Sequence, residues 1–169
     1  MIALARKKAP DARFRVGSLL EAKLPACRAV TSLGECINYL FDPRHGATQR
    51  RSLFRRVYDA LSPGGVFIFD FAEPSRAPDT PRRFWTEGPD WAILVETRGN
   101  PKRLQRRIVC FRRTGKTYRR TEETHVLELY GVAALAAELS SAGFQVETLT
   151  SYGKFPLLHG TAALLGTKR

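Results

Sequence analysis

The segment that most restricts the fold is LSPGGVFIFDF, Leu61 to Phe71. Ser62-Pro63-Gly64-Gly65 ends whatever helix precedes it, because proline cannot extend the helical backbone and glycine supplies the left-handed cap conformation. The chain then reverses into VFIFDF, six residues that are nearly all apolar or aromatic. A strand with one wet face alternates; a strand apolar throughout predicts cover on both faces, as in a parallel sheet with helices above and below. At 169 residues with 43% hydrophobic content, a single domain with a real core accommodates such a strand.

The neighbouring patterns agree with an α/β chain. Met1 to Lys8 reads as a short helix stopped by Pro10, and Ala12 to Ser18 alternates around Phe14 and Val16 as a strand ending near Gly17. A second strand runs from Cys27 to Gly34. From Thr48, the apolar stripe Leu53, Phe54, Val57 and Leu61 predicts an amphipathic helix with Arg50, Arg51, Arg55 and Arg56 on its wet side. Prolines at 74, 78, 81 and 89 predict a loop or lid from Glu73 to Pro89. Three strand-like runs follow, Trp91 to Thr97, Leu104 to Arg113 and Lys116 to Tyr130, with a hairpin turn at Thr114-Gly115, and together they predict an inserted antiparallel cap. A helix over Val132 to Ser141, capped by Gly143, and strands over Phe144 to Leu149 and Thr161 to Thr167 complete the pattern.

Composition narrows the class of protein. No stretch reaches the roughly 18 to 20 apolar residues of a membrane helix, and MIALARKKAP lacks a secretory core and cleavage site, so a soluble cytoplasmic protein is expected. Cys27, Cys36 and Cys110 form no CxxC pair and are expected as buried free thiols, with neither a disulfide framework nor a metal site. The net charge of +12 raises nucleic acid as a partner. The basic residues are spread, however, and no basic arm, aromatic RNA-binding motif or Cys/His finger accompanies them, so nucleic acid is the less favoured partner.

The succession of strand, GS, strand, SLGE, helix, LSPGG, strand, helix, AGF and two strands resembles the C-terminal two thirds of the class I S-adenosylmethionine-dependent methyltransferases, over almost the whole chain. LFRRVYDALSPGGVFIFDF is similar to the family's helix and fifth strand, and LAAELSSAGFQVETL to its last helix and following strand. The inserted strands, with EETHVLELY, resemble the cap of small-molecule N-methyltransferases that act on amino sugars or glycine. The resemblance implies a Rossmann-like sheet lacking its first two strands, with a core over 1–74 and 131–169 and a β cap over about 90–130. It also implies S-adenosylmethionine as cofactor and a small-molecule acceptor with a nitrogen or oxygen nucleophile.

One departure weighs against full activity. The family's glycine-rich GxGxG loop and the acidic residue that holds the ribose hydroxyls have no counterpart in this sequence. The resemblance therefore reads as N-terminally truncated, with a start at an internal Met of a longer gene as the favoured expectation, and cofactor binding is expected to be impaired. In the family strand order 3-2-1-4-5-7-6, the first strand lies against the segment Cys27 to Gly34. Its absence predicts an open edge through which another chain can pair or swap.

By the same resemblance, Ser18 and Leu19 border the adenine, and Ser32, Leu33 and Gly34 face the methionine end of the cofactor; Gly17 and Gly34 are equally well explained as strand-ending turns. Methyl transfer is an in-line displacement, needing alignment and, for a protonated nucleophile, a base. Glu35, Asn38 and Tyr39 follow the strand where substrate would sit. Glu35 either holds or deprotonates an ammonium, or is a first-turn carboxylate favoured by the helix dipole. Asp70 and Glu73 end the next strand and line the same cleft. His125, with Tyr130 on the cap segment, is a candidate base if it faces inward, and otherwise a structural strand histidine; His45 and His159 read as loop residues. The expected function is thus methyl transfer by Glu35, Tyr39 and His125. A noncatalytic α/β interaction module with a basic, RNA-binding surface is the alternative.

Overall fold

The structure, a computed structural model, describes residues 2–169. In chain order it has α1 (Ile2–Lys8), β1 (Cys27–Ser32), α2 (Ala47–Ala60), β2 (Leu61–Ala72), β3 (Arg82–Gly88), β4 (Trp91–Asn100), β5 (Arg103–Thr114) and β6 (Thr117–Glu128). There follow α3 (Val132–Ser141), β7 (Phe144–Leu149), the two-residue strands β8 (Ser151–Tyr152) and β9 (Phe155–Pro156), and β10 (Thr161–Lys168). Met1, the first residue of the expected N-terminal helix, lies outside the described residues.

The core sheet has the order β1-β2-β10-β7. β1 runs parallel to β2, and β10 is antiparallel to both β2 and β7. β2 is therefore bonded on both edges, as its composition requires. Its odd-numbered side chains Phe67, Phe69 and Phe71 are 0–1% exposed and meet α2, where the Phe54 ring lies 6.1 Å from Phe67 and 5.4 Å from Phe69. Leu53, Phe54 and Val57 of α2 and Leu135 and Leu139 of α3 are buried in the same core. Each such side chain contributes about 1.5–3 kcal/mol by leaving water. Lys168 closes the end of α2 by donating to the carbonyls of Tyr58 at 2.8 Å and Leu61 at 2.7 Å. Gly143, at φ +105°, ends α3 where a Cβ would stand 2.9 Å from the Tyr58 ring, so a side chain there is strained.

Four expectations are corrected. Cover on the second face of β2 is partial: Asp70 and Ala72 are buried, but Val66 and Ile68 are only half-buried, because strand alternation turns them away from α2 and α3 and α1 buries none of its residues. Ala12 to Ser18 forms no strand, and Val16 is 86% exposed; a strand pattern without a partner has no ladder to satisfy its backbone. Arg50 leaves the wet side of α2: it is 7% exposed and forms a fork to Glu138 of α3 at 2.9 and 2.8 Å. The turn residues Ser62 to Gly65 do not separate α2 from the strand but form a bulge within β2, between the pairs Cys27–Leu61 and Ala29–Val66.

The cap is a four-stranded meander, β3-β4-β5-β6, rather than three strands. The expected loop from Glu73 to Pro89 contains β3, paired residue for residue with β4 from Arg82–Thr97 to Gly88–Trp91. Pro81 and Pro89 flank RRFWTEG without interrupting it, which is where an edge strand tolerates proline. The turn between β5 and β6 is Gly115-Lys116, one residue later than expected. The cap is pinned to the core where the Leu40 N–H donates to the Val126 carbonyl at 2.9 Å and the Tyr130 N–H to the Ala72 carbonyl at 3.1 Å. No helix among the described residues is long and apolar enough to cross a membrane.

Candidate functional site

The carboxyl ends of parallel strands collect ligands in open α/β sheets. β1 and β2 end side by side, and one carboxylate organises both ends. Asp70 Oδ1 accepts the N–H groups of Gly34 at 2.8 Å and Glu35 at 2.6 Å, and Asp70 Oδ2 accepts the Tyr152 hydroxyl at 3.2 Å. Burial, reinforced by the Asp70 charge, pushes the Tyr152 phenol up to about 12. Glu35 takes the left-handed conformation, φ 59°, at a cost of about 1–2 kcal/mol for a residue with a side chain. Its carboxylate is 2.9 Å from Arg106 Nη1 of the cap and 3.5 Å from Arg76 Nε.

Asn38 is fully buried and completely used. Its Nδ2 donates to the carbonyls of Ala72 at 3.0 Å and Glu128 at 2.7 Å, and its Oδ1 accepts the Ala72 N–H at 3.0 Å. Next to it, Tyr39 stacks on Phe41 with centroids 5.1 Å apart, and the His125 ring meets both edge-on at 5.5 and 5.1 Å. His125 Nε2 lies 3.1 Å from Glu123 Oε2.

A cavity of about 450 Å³ opens between residues 17–20 and 36–45, floored by Arg50 and Leu53. Ser18 Oγ accepts the Leu20 N–H at 3.2 Å and donates to Asp42 Oδ2 at 2.6 Å. Hydrogen bonds from Arg44 and Ser18 hold the Asp42 carboxyl well below the usual carboxylate range, and Arg44 also pairs with Glu21. On the far wall His45 Nε2 is 2.7 Å from the Tyr130 hydroxyl, which donates to Glu128 Oε2 at 3.1 Å, and the Arg50 guanidinium lies 4.4 Å over the Tyr130 ring. Burial lowers the His45 pKa, and burial raises that of Tyr130.

Of the residues singled out in the sequence, Ser18, Leu19 and Tyr39 line this cavity together. Ser32, Leu33 and Gly34 stand apart from its lining, at the end of β1, whose outer edge is unpaired among the described residues. Leu33 is 50% exposed, and the Ser32 Oγ is buried without a hydrogen-bond partner. Glu35 is drawn to Arg106 of the cap and Arg76 of the connection after β2, and His125 meets the Tyr39 and Phe41 rings edge-on. Cys36 is exposed at the cavity wall, correcting its expected burial. Asp42, Arg50 and His45 also line the cavity, without a signal in the sequence. His45 meets Tyr130 across 85 positions, a contact for which spacing carries no signal. No cluster of His, Cys, Asp or Glu suited to a metal occurs among the described residues.

No protein-family model and no curated protein matches the sequence. Solved structures do match the fold. An S-adenosylmethionine-dependent methyltransferase from Clostridium acetobutylicum ATCC 824 superposes with a TM-score of 0.82 at 18% identity, over 99% of this chain and 70% of that one. The amino pentose methyltransferase CalS10 from Micromonospora echinaspora gives 0.75 at 18% identity over 99% and 70%. The sugar N-methyltransferase KedS8 from a Streptoalloteichus species gives 0.76 at 20% identity over 99% and 66%. This chain thus spans 66–70% of the length of these structures, and the similarity takes in core sheet and cap alike. The chain has the Rossmann-like core-plus-cap fold of the class I S-adenosylmethionine-dependent methyltransferases.

Proposed function

We propose that this chain forms part of an S-adenosylmethionine-dependent methyltransferase that acts on a small-molecule amine or hydroxyl, an amino sugar being the acceptor class closest to the structural relatives. The observation that carries the reading is the superposition over 99% of the chain, cap included, on CalS10, an amino pentose methyltransferase, and KedS8, a sugar N-methyltransferase.

The residues present fit part of the methyl donor. The buried, unpartnered Ser32 hydroxyl at the end of β1 is a polar group in want of a ligand, and Gly34 beside it leaves open space where a Cβ would stand. The cavity between Leu19 and Ile37 offers apolar walls of a size suited to an adenine ring. When bound, the donor supplies an electrophilic methyl group on a sulfonium. Ser18 and Leu19 border its adenine, and Ser32, Leu33 and Gly34 meet its methionine end. Tyr39 shapes the acceptor side, and His125, whose Nε2 donates to Glu123 Oε2 at 3.1 Å, leaves Nδ1 as the nitrogen that takes the proton of a protonated acceptor. Glu35 acts as a positioning residue, holding the cap through Arg106. The donor's other contacts have no counterpart here: no two glycines of the sequence are spaced as GxG.

The chain by itself therefore binds the donor weakly. Isothermal titration with S-adenosylmethionine tests this, with an expected dissociation constant near or above about 1 mM, equivalent to about 4 kcal/mol. Micromolar affinity contradicts the expected impairment. Unchanged weak binding in Leu19→Asp contradicts the assigned site.

A further inference from the structure

On one side the cavity between residues 17–20 and 36–45 is walled by Ser18, Asp42 and Arg44. Ser18 Oγ lies 2.6 Å from Asp42 Oδ2 across 24 positions of sequence and accepts the Leu20 N–H at 3.2 Å.

The direction of the short bond follows from counting donors. An ionised carboxylate only accepts, and Arg44 keeps Asp42 ionised. Its backbone N–H and its Nε donate to Oδ1 at 3.0 and 2.9 Å, and its Nη2 donates to Oδ2 at 2.8 Å. Ser18 therefore supplies the proton of the 2.6 Å contact. Each Asp42 oxygen then holds two donors, so the carboxylate has no lone pair left for a ligand. A hydroxyl has one proton and two lone pairs. The Ser18 proton is committed to Asp42 and one lone pair to Leu20, which leaves a single free lone pair. Ser18 thus faces the cavity as an acceptor alone.

Both residues are fixed before a ligand arrives. The Asp42 side chain is 15% exposed and closes a turn, with its carbonyl accepting the His45 N–H at 2.9 Å and its carboxylate the Arg44 N–H. Ser18 is held from its own side by Leu20, in the turn Leu19–Glu21. An immobile acceptor beside the apolar side chains of Leu19 and Ile37 distinguishes planar ligands by their exocyclic group. A 6-aminopurine donates its amine to Ser18. A 6-oxopurine in the same pose sets a carbonyl oxygen against the lone pair, with no proton between them, and both acceptors are left unpaired.

We propose that the Ser18–Asp42 pair makes this cavity selective for a 6-amino over a 6-oxo purine, Ser18 Oγ reading the amine and Asp42 acting as the positioning residue that fixes the Ser18 proton. This selectivity rests on the reading that the donor's adenine occupies the cavity.

S-adenosylhomocysteine and S-inosylhomocysteine, which differ only at the 6-amino or 6-oxo edge of the purine, test it. Their dissociation constants are read from the amide chemical shifts of Ser18, Leu19 and Leu20 in isotopically labelled chain. The 6-amino ligand is expected to bind at least about 10-fold more tightly. Asp42→Asn carries an amide that donates to Ser18 and releases its proton toward the ligand, so the two constants are expected to come within about threefold of each other; Ser18→Ala removes the reader and is expected to do the same. A wall that only supports the loop would weaken both ligands by one common factor in each variant, and that result overturns the proposal. Equal constants in the unaltered chain overturn it while leaving donor binding in place. Absence of shifts at Ser18 to Leu20 with either ligand removes the adenine site itself and the selectivity with it. Selectivity lost in Ser18→Ala but kept in Asp42→Asn overturns the role of Asp42.

Discussion

Arg106, on the third strand of the cap, donates to the carboxylate of Glu35 at 2.9 Å across 71 positions of sequence. The contact ties the cap to the loop that ends β1, and Arg76 reinforces it from the connection after β2. Glu35 thereby links three segments whose relative placement defines the cleft at the strand ends.

Removing one partner of this pair leaves the other's charge poorly compensated. Glu35→Gln is expected to destabilise the fold by about 1–3 kcal/mol and to speed amide exchange in β5 and β6. Arg106→Met in the same background adds less than it does alone, because the two changes remove one interaction. Additive effects in thermal unfolding would contradict the coupling.

Asn38 joins the end of β2 to the end of β6 through three hydrogen bonds. Asn38→Ala strands the Ala72 N–H in the interior and takes one donor from each of the Ala72 and Glu128 carbonyls, and is expected to cost about 1–3 kcal/mol. The midpoint of urea unfolding reports it. A shift equivalent to less than about 0.5 kcal/mol, the range of ordinary surface substitutions, would show that water replaces the amide at no cost.

His45 is buried against Tyr130, its side chain 6% exposed, and burial lowers its pKa below the ordinary histidine value. The unfolded chain then binds more protons than the folded one as pH falls through about 6.5, so stability contributed by neutral His45 is present above that pH and lost below it. His45→Gln is expected to flatten the dependence of melting temperature on pH between about 7 and 5. An unaltered slope would contradict the burial of a neutral imidazole.

Cys36 is exposed at the cavity wall, whereas Cys27 and Cys110 are half-buried. Thiol labelling is expected to show one fast phase that Cys36→Ser removes and that S-adenosylhomocysteine slows. Protection absent at several millimolar ligand, well above an expected constant of about 1 mM, would place the ligand elsewhere.

The elements that carry their own pattern were legible in the sequence. α2 and α3 follow from apolar stripes, and β2 from an unbroken apolar run. β7 follows from alternation after a glycine stop, and β10 from a short apolar run after another. What was not legible depends on partners distant in sequence. Ala12 to Ser18 alternates like a strand but has no ladder to join, and β3 was hidden because its flanking prolines read as a loop. The cavity residues Ser18 and Leu19 were accessible through family resemblance. His45, Arg50 and Asp42 were not, because each acquires its role from Tyr130, Glu138 or Ser18, contacts that only folding creates.

In the proposed site the donor's adenine and methionine ends meet two separate stretches of this chain. A titration of isotopically labelled protein with S-adenosylhomocysteine, followed by amide chemical shifts, measures this directly. The expected changes cluster at Ser18 to Leu20, Ser32 to Gly34 and Cys36 to Asp42. Shifts confined to the outer face of the cap, or none at a ligand concentration of about 5 mM, several times the expected constant, would contradict it.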